Sequence, residues 1–401
     1  MLFKKTTFVV LMTFISHTTF AQKNETYSVF GNLDLLKKAG VVSLIANENI
    51  SVGFAQINDQ QMQVLHELSH GARSCAGFEV LQDGNLQLLS VQKQLGQLES
   101  LVQKEKHYNE LTYLRQLNLQ LKPEIQNAVS QIQADNIKNF VTWLSGFPSR
   151  YARQSDPNQH VRQMQEKLQT LLQSSKLKTE LKLIEHKIVQ QKTIQVKLIG
   201  SLHPEHVIVL GAHFDSISGW MGDGKAPGAD DNASGSGSLF EALRVLLSGQ
   251  QPTKTIEFYW YAGEELGLLG SAEIAKQAKA ENKSVLGVLN FDMAMYPGDG
   301  ENNITLMTDF TTGKMNDLAK AVNEMYVKAT ILEDKCGYGC SDHASWFRNG
   351  FATLMATEAG FHSIFPGIHT ERDVISNQMS FSHAALFSKL ALAMAMEMAN
   401  N

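Results

Sequence analysis

Beyond about Pro148 the chain alternates short, nearly unbroken apolar runs with stretches of helical periodicity, and this alternation leaves few folds open to it. KTIQVKLIG, HVIVLGA, TIEFYWYA and VLGVLNF read as strands, with ITLMTDF and ATLMAT as shorter ones. VRQMQEKLQTLLQ, SGSLFEALRVLLS and SAEIAKQAKA carry apolar residues at helical spacing. Strands that are apolar along their whole length, rather than at every second position, are covered on both faces. The expected fold class is therefore α/β: three layers, α/β/α, around a mostly parallel mixed central sheet. In an open sheet of this kind a site forms beyond the carboxyl ends of the strands.

Those ends are where His and acidic residues fall. His213 and Asp215 follow VIVLGA directly. Two apart on extended chain they face one side, which places Asp215 to hold the second ring nitrogen of His213. PGADDNASG sets Asp230, Asp231 and Asn232 between a Gly turn and a helix from about Ala233. Asn232 is the expected N-cap, and Asp231 remains available to a cation. A carboxylate bridging two cations can hold them about 3.5 to 4 Å apart. Glu264 and Glu265 follow TIEFYWYA after Gly263. Adjacent acids in such a turn point in different directions, which suits one as ligand and the other as general base. Side by side they are costly unless a cation is present. Asp292 ends VLGVLNF, and His369 sits in the loop PGIHTERD. Taken singly, each of these residues could be a turn cap or a surface group. Their recurrence at successive strand ends points instead to a catalytic zinc site, for which imidazole and carboxylate are the usual donors, and hence to hydrolysis.

At 401 residues the chain accommodates one large α/β domain and an appendage. Lys4 and Lys5, the apolar run from Phe8 to Ile15, and then Thr19, Phe20 and Ala21 read as an export signal cleaved after Ala21. Residues 22 to about 80 mix short β-like runs, VVSLIAN and SVGFAQI, with Gly and polar breaks. From about Leu86 to Leu144 the sequence is rich in Gln, Leu and Lys at helical spacing and is interrupted at Pro123, as in connecting helix and linker. The apolar C-terminal run is broken by Lys389 and Glu397, so no membrane span is expected after signal removal. A formal charge of −5 without a basic stripe argues against nucleic acid as a partner.

Cys336 and Cys340 in KCGYGCSDH are close enough for a short-loop disulfide in an oxidising compartment, or are two free or metal-binding thiols. Cys75 has no obvious mate. HELSH, His66 to His70, matches the pattern in which two His one helical turn apart bind zinc and Glu67 acts as base. It is short, lies ahead of the linker and has no third-ligand pattern beside it.

From about Gln126 onward the chain resembles the secreted bacterial leucyl aminopeptidases, co-catalytic dizinc exopeptidases. The resemblance rests on GAHFDS, APGADDNASG, YAGEELGLLGS, LNFDM, CGYGCSDHASW and IHTERD, all in the family's order. It implies two zinc ions per catalytic domain. Asp231 would bridge them, His213 and Asp292 would complete one site, and Glu265 and His369 the other. Glu264 would be the general base and Asp215 would orient His213. The resemblance further implies a disulfide between Cys336 and Cys340, with Tyr338 between them stabilising the tetrahedral intermediate through its hydroxyl. The pocket for the N-terminal side chain would include Met293, Met307, Met355, Phe361, Ile364 and Ile368, whose apolar, Met-rich walls suit Leu-, Met- or Phe-like residues. Thr357 stands where the family commonly has an aromatic residue.

Many relatives carry an N-terminal prosegment that assists folding and inhibits the enzyme until removed. The expected organisation is thus a signal peptide over 1–21, a small α+β prosegment and linker over 22–105, and the catalytic domain over 106–401. The implied protein is a secreted or periplasmic, monomeric zinc aminopeptidase made as a zymogen, taking hydrophobic residues from peptide N-termini through a metal-activated water. A glutaminyl cyclase or carboxypeptidase on the same fold, and a non-catalytic binding protein, are the alternatives. The last would show broken ligand positions, and here they are intact.

Overall fold

The computed structural model describes residues 26–42, 45–47, 51–69, 78–81, 117, 119–219 and 224–401, with single positions between 93 and 113. The export signal, His70, Cys75 and most of the expected linker lie outside the described residues.

Strands β1 (Thr26–Asn32), β2 (Ile45–Asn47), β3 (Val52–Asn58) and β4 (Phe78–Leu81) form a four-stranded antiparallel sheet in the order β2-β3-β1-β4. Helices α1 (Leu33–Lys38) and α2 (Asp59–Ser69) cover it, enclosing a small core of Val29, Leu36, Ala55, Ile57 and Leu65. Asn32 starts α1 by accepting the backbone N–H groups of Asp34 and Leu35.

The second sheet has eight strands: β5 (Thr179–Ile184), β6 (Thr193–Leu198), β7 (His203–His213), β8 (Lys254–Tyr261), β9 (Ser284–Phe291), β10 (Asn303–Met307), β11 (Thr330–Asp334) and β12 (Thr353–Thr357). Their order is β11-β10-β12-β9-β7-β8-β6-β5. The four at the centre, β12, β9, β7 and β8, run parallel, while β6 and β10 turn antiparallel against β8 and β12. The central strands are the ones whose sequences are apolar throughout, because each buries both faces.

One face carries the main core. There α4 (Ala134–Leu144), α5 (Gln159–Gln173), α6 (Ala233–Leu247), α8 (Gly313–Val322) and α10 (Phe381–Asn400) pack over Ile208, Leu210, Phe258, Trp260, Leu289 and Phe291. On the other face α7 (Leu269–Ala280) and α9 (His343–Arg348) cover Val209, Tyr259, Tyr261 and Val288. Each fully buried aliphatic or aromatic side chain in these layers contributes about 1.5–3 kcal/mol of transfer free energy. The architecture is the expected three-layer α/β/α with a mixed central sheet, preceded by a small α+β unit.

Sequence and structure differ at the periphery. The periodicity of TYSVFGN, TELKLI and TILED does not single out β1, β5 and β11. β5 and β11 lie at the sheet's edges and need no continuous apolar run. Pro123 opens α3 (Pro123–Ser130) instead of interrupting a helix, since a proline at the first helical position gives up an N–H that has no partner in any case.

Candidate active site

The reactive side chains meet at the carboxyl ends of β7, β8 and β9. His213 is the last residue of β7, and Ser236 of α6 donates to its carbonyl at 2.8 Å. β8 ends at Tyr261, and Gly263, with φ of 61°, turns the chain into the single 3-10 turn Glu264–Leu266 that carries both acids. A left-handed residue is cheap there only for glycine. At the start of α6, Asn232 caps Gly235 at 2.9 Å, and its amide donates to Phe291 O at 3.0 Å. Ser234 Oγ receives Ala294 N–H at 2.8 Å. These bonds fasten the end of β9, and with it Asp292, to the turn that carries Asp231. A Cβ on Gly235 would lie 2.4 Å from Asn232 Oδ1 and 2.6 Å from Phe291 O, so no other residue fits between helix and strand.

Asp231 stands between the two histidines, its Oδ1 2.9 Å from His213 Nε2 and its Oδ2 2.9 Å from His369 Nε2. His213 Nε2 also lies 3.2 Å from Asp292 Oδ1, and His369 Nε2 lies 3.1 Å from Glu265 Oε2. Ligand atoms of His213, Asp231 and Glu265 fall within 4.8 Å of one another. All these side chains are buried. Asp215 Oδ1 is 3.5 Å from His213 Nδ1, and its carboxylate accepts the backbone N–H groups of Glu264 at 3.1 Å and Glu265 at 3.3 Å. Ser341 donates to Asp292 Oδ2 at 2.6 Å and receives Asn290 Nδ2 at 2.9 Å. Neither oxygen of Glu264 has a hydrogen-bond donor.

Such a cluster is short of positive charge. Burial pushes Glu264 well above the usual carboxyl range and Glu265 up to about 7, although the facing histidines oppose this. Burial disfavours charge on His213 and His369, yet the carboxylates around them outweigh it and hold both well above the ordinary imidazole value. Burial would likewise raise Asp231, but the two imidazoles pull it below its ordinary value. Burial thus favours the neutral form of the two glutamates, while the facing carboxylates favour the charged form of the imidazoles. Each imidazole directs Nε2, the usual metal-binding nitrogen, at two carboxylates, and His213 directs Nδ1 at a third. The donor set therefore fits a pair of divalent cations sharing Asp231.

The remaining expected residues gather in two clusters. Cys336 and Cys340 are joined in a disulfide. Met307, Tyr338, Cys340 and Met355 form one small cluster with Phe361 against it, where Tyr338 and Phe361 meet edge to face at 5.8 Å. Met293, Ile364 and Ile368 form a second cluster with Phe365. Met293 and His369 both have left-handed backbones, with φ of 56° and 55°. Such conformations gather where a site dictates the direction of a side chain. His66 of the HELSH segment lies instead within the N-terminal unit, where it packs edge-on to Phe78 at 4.9 Å and burial lowers it to about 3.

Several supporting residues carry no signal in the sequence-based reading. Asp373 accepts the N–H groups of Asp230 at 2.8 Å and Asp231 at 3.0 Å, fixing the turn beneath the central carboxylate. Its only hint is its place four residues after His369. Arg150, fully buried, donates to the carbonyls of Phe214, Pro227 and Gly228, and nothing in SRYAR marks it out. Glu358 accepts Met295, Tyr296 and Phe365 N–H groups, tying the loop after Asp292 to the loop before His369. It ends the apolar strand β12 as Asp292 ends β9, so the same reasoning could have found it.

The N-terminal unit touches this region. Asn32 donates to Gly337 O, within the disulfide loop, at 2.8 Å. Phe30, Val52 and Phe54 pack against Leu268, Phe310 and Phe347, and Val80 N–H reaches Gly267 O at 3.4 Å.

A mixed α/β sheet with buried imidazole and carboxylate groups at its strand ends defines the class, a metal-dependent hydrolase, and comparison with known proteins narrows it. Residues 193–395 match the model of peptidase family M28. The chain is 33% identical over 282 residues to a probable leucine aminopeptidase of Arthroderma otae, the match covering 69% of this chain and 75% of the relative. Its fold superposes on the LapA aminopeptidase of Legionella pneumophila with a TM-score of 0.78 and 26% identity, covering 94% of this chain and 99% of the other. LapB of the same organism superposes with a TM-score of 0.81 at 23% identity, covering 94% and 100%. The chain belongs to peptidase family M28 and is a metalloaminopeptidase of the leucyl aminopeptidase type.

Proposed function

We propose that the protein is an exported dizinc aminopeptidase that removes one residue at a time, preferentially a hydrophobic one, from peptide N-termini. The observation that carries this reading is the position of Asp231, with one oxygen toward His213 and the other toward His369. His213 and Asp292 would hold one ion, Glu265 and His369 the other, and Asp231 both. When bound, the ions would polarise the scissile carbonyl and lower the pKa of the attacking water. Glu264 would take the proton from that water and deliver it to the departing amine. Burial, which pushes its carboxyl up, makes it a stronger proton acceptor than an exposed carboxylate. Tyr338, on the disulfide loop, would donate its hydroxyl to the oxyanion of the tetrahedral intermediate. The free N-terminal amine would sit beside the acidic cluster, and the side chain between the Met293 and Met307 clusters.

The described residues from Thr26 to Leu81 would act as an inhibitory prosegment, removed on activation. Two contacts favour this: Asn32 restrains the loop that carries Tyr338, and Phe30 and Phe54 pack on Leu268 and Phe310 of the catalytic domain. The expected leader over residues 1–21, a disulfide, and the lack among the described residues of a helix able to cross a membrane all accord with export. Three substrates test the reading: Leu-p-nitroanilide, its N-acetylated form and a Gln-initiated peptide. The proposal expects release of p-nitroaniline from the first alone, abolished by Glu264→Ala. Cleavage of the acetylated substrate, or turnover confined to Gln cyclisation, would overturn it.

A further inference from the structure

The wall of the proposed side-chain pocket is not uniformly apolar. Antiparallel β10 and β12 set Thr305 directly opposite Thr357. Alternation along these strands sends Ile304, Leu306, Leu354 and Ala356 into the main core. The other face receives Thr305 and Met307 from β10, and Met355 and Thr357 from β12. Met307 and Met355 belong to the cluster with Tyr338, Cys340 and Phe361. Both threonines are buried, Thr305 at 0% and Thr357 at 1% exposure, and neither Oγ1 has a hydrogen-bond partner.

Their place relative to the metal centre follows from register. In the parallel pair β12/β9, Met355 lies beside Asn290 and Ala356 beside Phe291, so the next step sets Thr357 alongside Asp292 and on its side of the sheet. One strand spacing, about 4.8 Å, separates them, and Thr305 is one strand further out. A side chain entering from the centre therefore passes over Thr357 toward Thr305. Directly opposed residues hold their Cβ atoms about 4.5–5.5 Å apart. Two buried hydroxyls at that spacing, each able to donate or accept, match a carboxamide, which has one acceptor and one donor group at its tip. A carboxylate would bring a further negative charge beside Asp292, and a branched aliphatic chain would leave both hydroxyls unpaired.

We infer that Thr305 and Thr357 form a polar floor of this pocket and that, beside hydrophobic residues, the enzyme accepts an N-terminal residue with an unbranched, amide-tipped side chain such as glutamine. This rests on the aminopeptidase reading of the same site. The test compares kcat/KM for Gln- and norleucine-p-nitroanilide, two side chains of similar length that differ in polarity, in wild type, Thr357→Val, Thr357→Ser and Thr305→Val. Because each protein serves as its own reference, partial misfolding cancels in the ratio. The Gln/norleucine ratio falls about tenfold in each Val variant, the worth of roughly one hydrogen bond, and Thr357→Ser restores it. A ratio within about twofold of wild type in both Val variants overturns the inference, as does a wild type that cleaves norleucine but not Gln substrate; the hydroxyls would then be served by buried water. Failure to release p-nitroaniline from any substrate, Leu included, would instead remove the aminopeptidase reading, and this inference with it.

Discussion

Asp215 accepts the backbone N–H of Glu264 at 3.1 Å. The same carboxylate lies 3.5 Å from His213 Nδ1 and accepts Glu265 N–H, so one buried acid faces a histidine and sets the turn that carries both glutamates. Asp215→Ala should therefore impair two functions together. Metal affinity, measured by chelator competition, should fall about 10–100-fold, with a comparable loss in kcat. A kcat loss with unchanged metal affinity would confine its role to the turn.

Glu264 takes part in none of the His–carboxylate contacts, and neither of its oxygens meets a donor. Glu264→Gln should leave metal content and KM near wild type and lower kcat by about 10²–10⁴-fold. Metal analysis alongside steady-state kinetics distinguishes this from loss of the centre.

Arg150 is a structural cation under the site, holding the carbonyls of Phe214, Pro227 and Gly228. Arg150→Met leaves these buried acceptors unpaired and should destabilise the protein by at least about 3 kcal/mol. Denaturant unfolding monitored by circular dichroism measures the loss.

The N-terminal unit meets the disulfide loop through Asn32 and the 3-10 turn region through Val80. Proteolysis between the two sheets should raise kcat/KM on Leu-p-nitroanilide at least about tenfold. In the uncleaved protein, Asn32→Ala with Phe54→Ala should reproduce part of that rise. Equal initial rates before and after cleavage would leave the unit a folding aid alone.

The central layer was legible because β7, β8 and β9 are buried on both faces, which forces an apolar sequence, and because each hands its next residues to the site. That single regularity located His213, Glu264, Glu265 and Asp292, whereas the capping pattern of PGADDNASG pointed to Asn232 and only left Asp231 available to a cation. The edge strands β5 and β11 were not legible, since half-exposed edges tolerate polar residues. Arg150 and Asp373 were also missed, because they act by holding backbone groups far away in sequence, and hydrogen bonds of that kind impose no spacing. Glu358 escaped for a different reason: it ends a strand as the other acids do but turns to the N–H groups of two loops and not to the centre.

The most direct test of the account is the zinc content of purified wild type and of Asp231→Asn, measured by plasma mass spectrometry after equilibration with limiting zinc. A carboxylate shared by both ions predicts about two zinc per chain in the wild type, less than one in the variant, and loss of Leu-p-nitroanilide hydrolysis in step with the metal. A variant that keeps two zinc ions and full activity would contradict it.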